Sequence, residues 1–363
     1  MNIKSTPRYY LQNGLTIVEL MIALAIGLFM IGAVSTLYVR MRSSFDYLTE
    51  VTRMQESGRF AMETIARDVR MAGYNGCGKS VKSLVNVVNG AGSNPFLDFS
   101  TPIRGYEGGV DTLPSALTTA GALSGTDAII LLGVDTSNEL VVQNHNPNSA
   151  QIDTNTHSIK PGEILLITDC SKASIFQMTG PTNNNNNASN VVHNTGTGTP
   201  GNCYKALGAS CGAGAVNYTY KPGSSLLRIY SNAYFIGNSS LGDGSRSLFT
   251  MALEGSTTGS SATKELITGI ENMQVTYGLD ANGDGTAEKF VTADAVGSSN
   301  WSQVTTVRIS LLIRSTKTNI ATGNQTYTYS TTAGSTTEIS VTPNDKILRQ
   351  VLSETIVARN RTL

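Results

Sequence analysis

The chain has 363 residues, with 26 basic and 26 acidic side chains, a formal net charge of zero and only 14% charged residues. That balance excludes a polybasic nucleic-acid arm and an acidic tail. Gly, Ser, Thr and Asn are abundant while apolar residues still make up 40%; this suits a β-rich body with long polar loops outside the cytoplasm, and the length suggests about two domain-sized units.

Residues 1–14, "MNIKSTPRYYLQNG", are polar and carry Lys4 and Arg8. The longest apolar run follows, with no charge between Leu20 and Val39. That is long enough for a helix to cross the hydrocarbon core of a bilayer. Lys4 and Arg8 stand on one side and Arg40 and Arg42 on the other, so the positive-inside count does not set an orientation. No Ala-x-Ala site ends the run, which argues against a Sec-type signal. The small residue beside a possible cut, Gly14, lies before the run instead. Glu19 sits just inside the run. A lone acid near the bilayer centre costs roughly 2.5–3.5 kcal/mol, less towards the interface, and intramembrane ionisable groups point to function by default.

The helical pattern continues past Arg42. Leu48, Val51, Met54, Gly58, Ala61, Ile65, Val69 and Ala72 recur at steps of three and four and mark one face. Gly73 supplies a C-terminal stop. With no proline from Leu15 to Ala72, the spacing predicts one continuous helix about 87 Å long. Its first half is apolar all round and its second half is one-sided, so the second half is expected to pack on a globular body.

The rest reads mostly as strands. In "VTTVRISLLIRS", Val307, Ile309, Leu311 and Ile313 share one face. "DAIILLGV" and "GEILLITDC" are short apolar runs suited to buried strands. "SLLRIYSNAYFIG", "ENMQVTYGLD" and "NQTYTYST" also read as strands, whereas "TGPTNNNNNASNVVHNTGTGTPGN" is low in complexity and reads as a loop. No repeat of fixed period is visible. The expected class is α+β: one long helix on an antiparallel, β-rich head.

Four cysteines, Cys77, Cys170, Cys203 and Cys211, all lie C-terminal to the apolar run. An even count on one side of a membrane fits disulfides in an oxidising compartment, and no CxxC or paired-His spacing supports a metal site. Cys203 and Cys211 close the short loop "CYKALGASC" and are the first pair to expect. Cys77 with Cys170 follows by elimination among the three pairings that four cysteines allow. His145, His157 and His193 lie in polar sequence and are expected at the surface. No GxSxG, HExxH or phosphate-cradling glycine loop is present, so no catalytic residue, metal or cofactor is expected. "DANGDGTAE" places Asp280, Asn282, Asp284 and Gly285 at calcium-loop spacing, but its twelfth position is Val291 and its flanks read as strands. A β-hairpin turn is the favoured reading over a calcium site.

"GLTIVELMIALAIGLFM" resembles the class III signal of type IV prepilins. Gly14 matches the residue before the cut, Leu15 the first mature residue and Glu19 the fifth. "MQESGRFAMETIARDVRMAGYNGC", "ITGIENMQVTYGLDANGDG", "VTTVRISLLIRS" and "RQVLSETIVARNR" resemble the PilW family of minor pilins. The resemblance implies a lollipop-like pilin fold: leader 1–14, transmembrane helix 15–39, amphipathic continuation 40–73 and head 74–363. It implies processing by prepilin peptidase at Gly14 and Leu15, and an assembly role for Glu19. The Leu15 ammonium created by the cut, or that of a neighbouring subunit, would meet Glu19 one turn away.

The implied partners are other minor pilins, the major pilin, the pilus assembly platform, a tip adhesin and inner-membrane lipid, with no nucleic acid. The implied location is the inner membrane with a periplasmic head, then the pilus. Major pilins usually start the mature chain with Phe and carry a Pro in the membrane helix. Leu15 and the missing Pro speak against the main structural subunit, although Gly27 and Gly32 could soften the helix. A J-type minor pseudopilin of a type II secretion system and a membrane-tethered enzyme are the alternatives.

Overall fold

The computed structural model describes residues 14–77, 81–182, 188–253, 261–321, 323–329 and 339–361. The chain divides into two compact units, Met1–Thr52 and Arg53–Leu363. Helix α1, Ile17–Met71, has 55 residues, about 82 Å of α-helix. It ends where Gly73 takes a left-handed φ of 74°, the glycine stop that the sequence carries.

In the second unit the strands are β1 (Leu84–Asn86), β2 (Ile103–Tyr106), β3 (Ala128–Asn146), β4 (Gln151–His157), β5 (Ile164–Thr168), β6 (Ala173–Gln177), β7 (Ala188–Val192), β8 (Ser225–Asn238), β9 (Arg246–Leu253), β10 (Ser261–Thr268), β11 (Ile270–Leu279), β12 (Lys289–Val291), β13 (Val304–Arg314), β14 (Tyr327–Tyr329), β15 (Ile339–Val341) and β16 (Arg349–Val357). Two short helices, α2 (Ser115–Thr119) and α3 (Ala293–Val296), lie between them. The class is α+β.

The largest sheet runs β1-β6-β5-β8-β3-β4-β7, with β2 on β3 and β9–β10 on β8. Its pairings are antiparallel except β1 on β6. Thr179 N–H donates to Val192 O and Val192 N–H to Gly180 O, both at 2.8 Å. Those bonds return β7 to the chain leaving β6, so this part of the sheet curls closed. Alternate residues then feed two cores. Leu165, Ile167, Leu140, Val142, Ile152, Phe176 and Tyr220 fill the closed interior. Ile164, Leu166, Ile130, Leu132 and Phe235 face the second core. With both faces buried, β5 reads as a continuous apolar run. Along β3 the even-numbered side chains change core, from Ile130, Leu132 and Val134 in the second to Leu140 and Val142 in the closed interior, across the register shift with β8 between Asp135 and Leu140.

The one-sided part of α1 is seated within the second unit. Met54, Gly58, Ala61, Ile65, Val69 and Ala72 are buried, as the spacing predicts, together with Met62 and Ala66. Leu48, counted on the same face, is exposed. A Cβ at Gly58 would collide with Ile313 and crowd Leu352, so glycine lets the helix approach the sheet β12-β11-β13-β16. Asp68 accepts hydrogen bonds from Tyr234 Oη at 2.6 Å and Asn232 Nδ2 at 2.7 Å, which ties α1 to β8. Arg70 pairs with Glu354 at 3.3 Å, and Asn360 Nδ2 donates to the Arg70 carbonyl.

The structure corrects the reading of 179–202 as loop throughout. Residues 183–187 lie outside the described residues, but Ala188–Val192 pairs with β4 as a strand. Val191 is fully buried in the closed core. Two valines satisfied by a waiting sheet edge outweigh the polar composition around them.

Candidate functional site

The first turn of α1 is built by its own residues. Thr16 Oγ1 accepts the Glu19 N–H at 3.3 Å. Glu19 Oε2 reaches back to the Thr16 N–H at 3.3 Å and its hydroxyl at 3.2 Å. This reciprocal pair is a capping box, which satisfies amides that a helix start leaves unpaired and places an acid at the positive end. The sequence reading missed the role of Thr16, although the T-x-x-E spacing carries it. Beyond Glu19 the apolar side chains are exposed, among them Leu20, Ile22, Leu24, Leu28, Phe29 and Val34. The most apolar window of the helix has none of its residues buried. A helix apolar on every side requires lipid or other helices around it.

The cysteines form Cys77–Cys170, with a Cα–Cα distance of 5.6 Å, and Cys203–Cys211, at 5.9 Å. The first joins the turn after α1 to the turn between β5 and β6. The second closes a loop beside β1, where the Cys203 N–H donates to Val87 O and the Cys211 N–H to Asn86 O.

The histidines depart from expectation. All three are buried: His145 is 5%, His157 6% and His193 0% exposed. The neighbouring sequence is polar, but alternate positions at the ends of β3, β4 and β7 point into the closed core. His157 is held by the Asn190 carbonyl at 3.1 Å and accepts the Ile159 N–H at 3.2 Å. His145 Nδ1 accepts the Tyr220 N–H at 3.1 Å. Burial pushes His145 down to about 4, and burial with the neighbouring His145 pushes His193 down to about 3. No hydrogen bond joins a histidine to a carboxylate among the described residues, so these imidazoles are not arranged as a general base with its orienting acid.

Two acidic groupings stand apart. Between β11 and β12, Asp280 Oδ1 accepts the amides of Gly283 (2.6 Å) and Asp284 (3.1 Å), and Oδ2 accepts that of Gly285 (2.7 Å). Asp280, Asp284 and Glu288 each bring a carboxylate oxygen within 4.8 Å of the others. The acid that joins the group is Glu288, at position nine of the loop, and not a residue at position twelve. The loop joins two strands, as expected, and its own amides hold Asp280. The second grouping lies around β2 and α3. Burial, then Asp127 and Asp294, push Glu107 up to about 8, against the Ala293 amide. Burial raises Asp127 to about 6, although the amides of Gly108 and Val275 donate to it at 2.9 and 2.7 Å. Glu107 Oε2 and the Tyr277 hydroxyl are buried without hydrogen-bond partners among the described residues. Nothing in "RGYEGGVD" signals that burial.

The family model described as Type IV Pilus-assembly protein W matches residues 233–360, and the Prokaryotic N-terminal methylation motif matches residues 10–35. The two matches support a PilW-family type IV pilin with a prepilin signal. No curated protein and no solved structure matches the chain. The PilW match opens within β8 and runs through β16, so it takes in the whole sheet on which Gly58 is seated. The closed core with its histidines lies largely before the match. The signal and the one long apolar helix among the described residues support a membrane-anchored pilus component.

Proposed function

We propose that this PilW pilin is a low-abundance subunit that works by assembly. Its helix bundles with those of other minor pilins in the inner membrane, its head lies in the periplasm, and together they prime a pilus and remain at its tip. Cleavage between Gly14 and Leu15 by prepilin peptidase creates an α-ammonium one residue before Thr16. In this reading Glu19 pairs with that amine, or with the amine of a neighbouring subunit, and sets the axial register. The carrying observation is the capped helix start: the acid closest to the apolar run sits in the first turn of a helix whose next turns are exposed on all sides. Burying Glu19 in lipid without a cationic partner is costly, which favours contact with a second helix. The PilW match supports the pilus over type II secretion, and a structural pilin family supports assembly over tethered catalysis.

The test is co-purification of affinity-tagged wild type and Glu19→Ala from detergent-solubilised inner membranes, with defined minor pilins co-expressed. Wild type should retain them and Glu19→Ala should lose most of them while both disulfides remain intact. Equal recovery would reject Glu19 as the register-setting group.

A further inference from the structure

Residues 193–224, between β7 and β8, form no regular element, yet Leu207 and Tyr220 within them are fully buried. The first half of this strap is fastened repeatedly. Asn202 and Gln177 exchange bonds, Ser174 Oγ donates to the Leu207 carbonyl at 2.7 Å, and the Cys203–Cys211 loop hangs on β1. The second half is different. Residues 211–217 are exposed; the Val216 carbonyl accepts the Gly208 N–H at 2.7 Å, Tyr218 Oη donates to Asp169 at 2.6 Å, and Tyr220 is the buried side chain that returns this stretch to the closed core. Its hydroxyl meets Ser174 Oγ at 2.6 Å and its backbone N–H donates to His145 Nδ1 at 3.1 Å.

That last bond fixes the tautomer. Nδ1 must present its lone pair to the Tyr220 N–H, so the His145 proton sits on Nε2. Among the described residues Nε2 has no hydrogen-bond partner; the His193 ring lies 5.4 Å from that of His145 and has only the backbone of Lys205 and of its own residue near it, outside hydrogen-bonding geometry. The groups around the pair are Tyr220 and the Lys205 backbone from the strap and Phe176 from β6. Tyr218 packs on Tyr220, and Asp169 and Lys172 reach Tyr218. None of the carboxylates among the described residues forms an ion pair with either histidine. A proton taken up here therefore meets no counter-charge, and on His145 Nδ1 it turns the acceptor into a donor.

We propose that His145 and Tyr220 form an acid-released latch: protonation of His145 Nδ1 sets two N–H groups against each other and frees residues 212–222 from the closed core, while the Cys203–Cys211 loop stays docked. Burial holds both imidazoles below their ordinary range, His145 at about 4 and His193 at about 3. The stability they contribute is fully present above the unfolded value of about 6.5 and is lost as pH falls towards 4. If opening restores His145 to its ordinary range, a drop from pH 7 to pH 5 raises the open population roughly 20-fold.

Hydrogen exchange of the full chain in detergent tests this at pH 7 and pH 5, corrected for intrinsic exchange. Exchange at the Tyr220 amide should rise roughly 20-fold while peptides from β11 and β13 hold their protection. His145→Asn keeps an acceptor oxygen near Nδ1 but cannot take the proton, so its rise should vanish. Should that variant not fold, the wild-type midpoint decides, and it must fall between about pH 4 and 6.5. Equal protection at both pH values, the same rise in His145→Asn, or loss of protection throughout the head would each overturn the latch.

Discussion

Removing the Cys77–Cys170 bridge should destabilise the head more than removing Cys203–Cys211. The first joins residues 93 apart and the second residues 8 apart. Chain entropy assigns about 4.6 kcal/mol to the longer loop and about 2.6 kcal/mol to the shorter. The longer bridge also pins the turn that follows α1, so its loss loosens the seat of the helix as well as the chain. At roughly 2–4 °C per kcal/mol for a domain of this size, Cys77→Ala/Cys170→Ala should lower the melting temperature by roughly 9–18 °C. Cys203→Ala/Cys211→Ala should lower it by roughly 5–10 °C. Thermal melts by circular dichroism, in one detergent and with masses verified, measure both. A larger loss for the short loop would show that local contacts, not loop closure, set the value of each bridge.

Asp68→Ala leaves the buried Tyr234 hydroxyl without its acceptor and should cost roughly 2–4 kcal/mol in denaturant unfolding, with Asp68→Asn costing less. Glu107, held up at about 8, and Asp127, at about 6, are both raised above their unfolded values. Their neutral forms therefore favour the fold at low pH, and that stability is lost as pH rises from about 4.5 to 8. Exchange at the α3 amides should quicken across that window beyond the intrinsic rate, and Glu107→Gln should flatten the change. Intact-mass analysis of membrane-extracted protein should show a chain beginning at Leu15; a chain retaining residues 1–14 would remove the processing step from the account.

The helix was legible because its signals agree. An uncharged run, a three-four spacing through Ala72 and a closing glycine all describe one element. Strands such as β5 and β13 were legible as apolar runs or alternation. What stayed hidden depends on distant neighbours. Strand β7 needs the edge of β4, and nothing local separates Val191–Val192 from the loop around it. The histidines looked exposed because their sequence neighbours are polar, whereas their burial is decided by the curl of the sheet. Glu107 and Asp127 are separated in sequence, so the push that Asp127 exerts on Glu107 is a property of the fold. Thr16 and Glu288 were different. Their spacing is present in the chain, but an acid inside an apolar run and the twelfth position of a calcium loop are the stronger local signals.

The most direct test of the central claim is pilus assembly in a deletion strain complemented with Glu19→Ala, with membrane insertion and head disulfides checked in the same cells. The histidines are core residues, so substituting them is no neutral control; wild type and Glu19→Asp are the comparisons. The account predicts that Glu19→Ala inserts and folds but leaves the cells without pili, with partial recovery for Glu19→Asp. Wild-type pilus numbers in Glu19→Ala cells would contradict it.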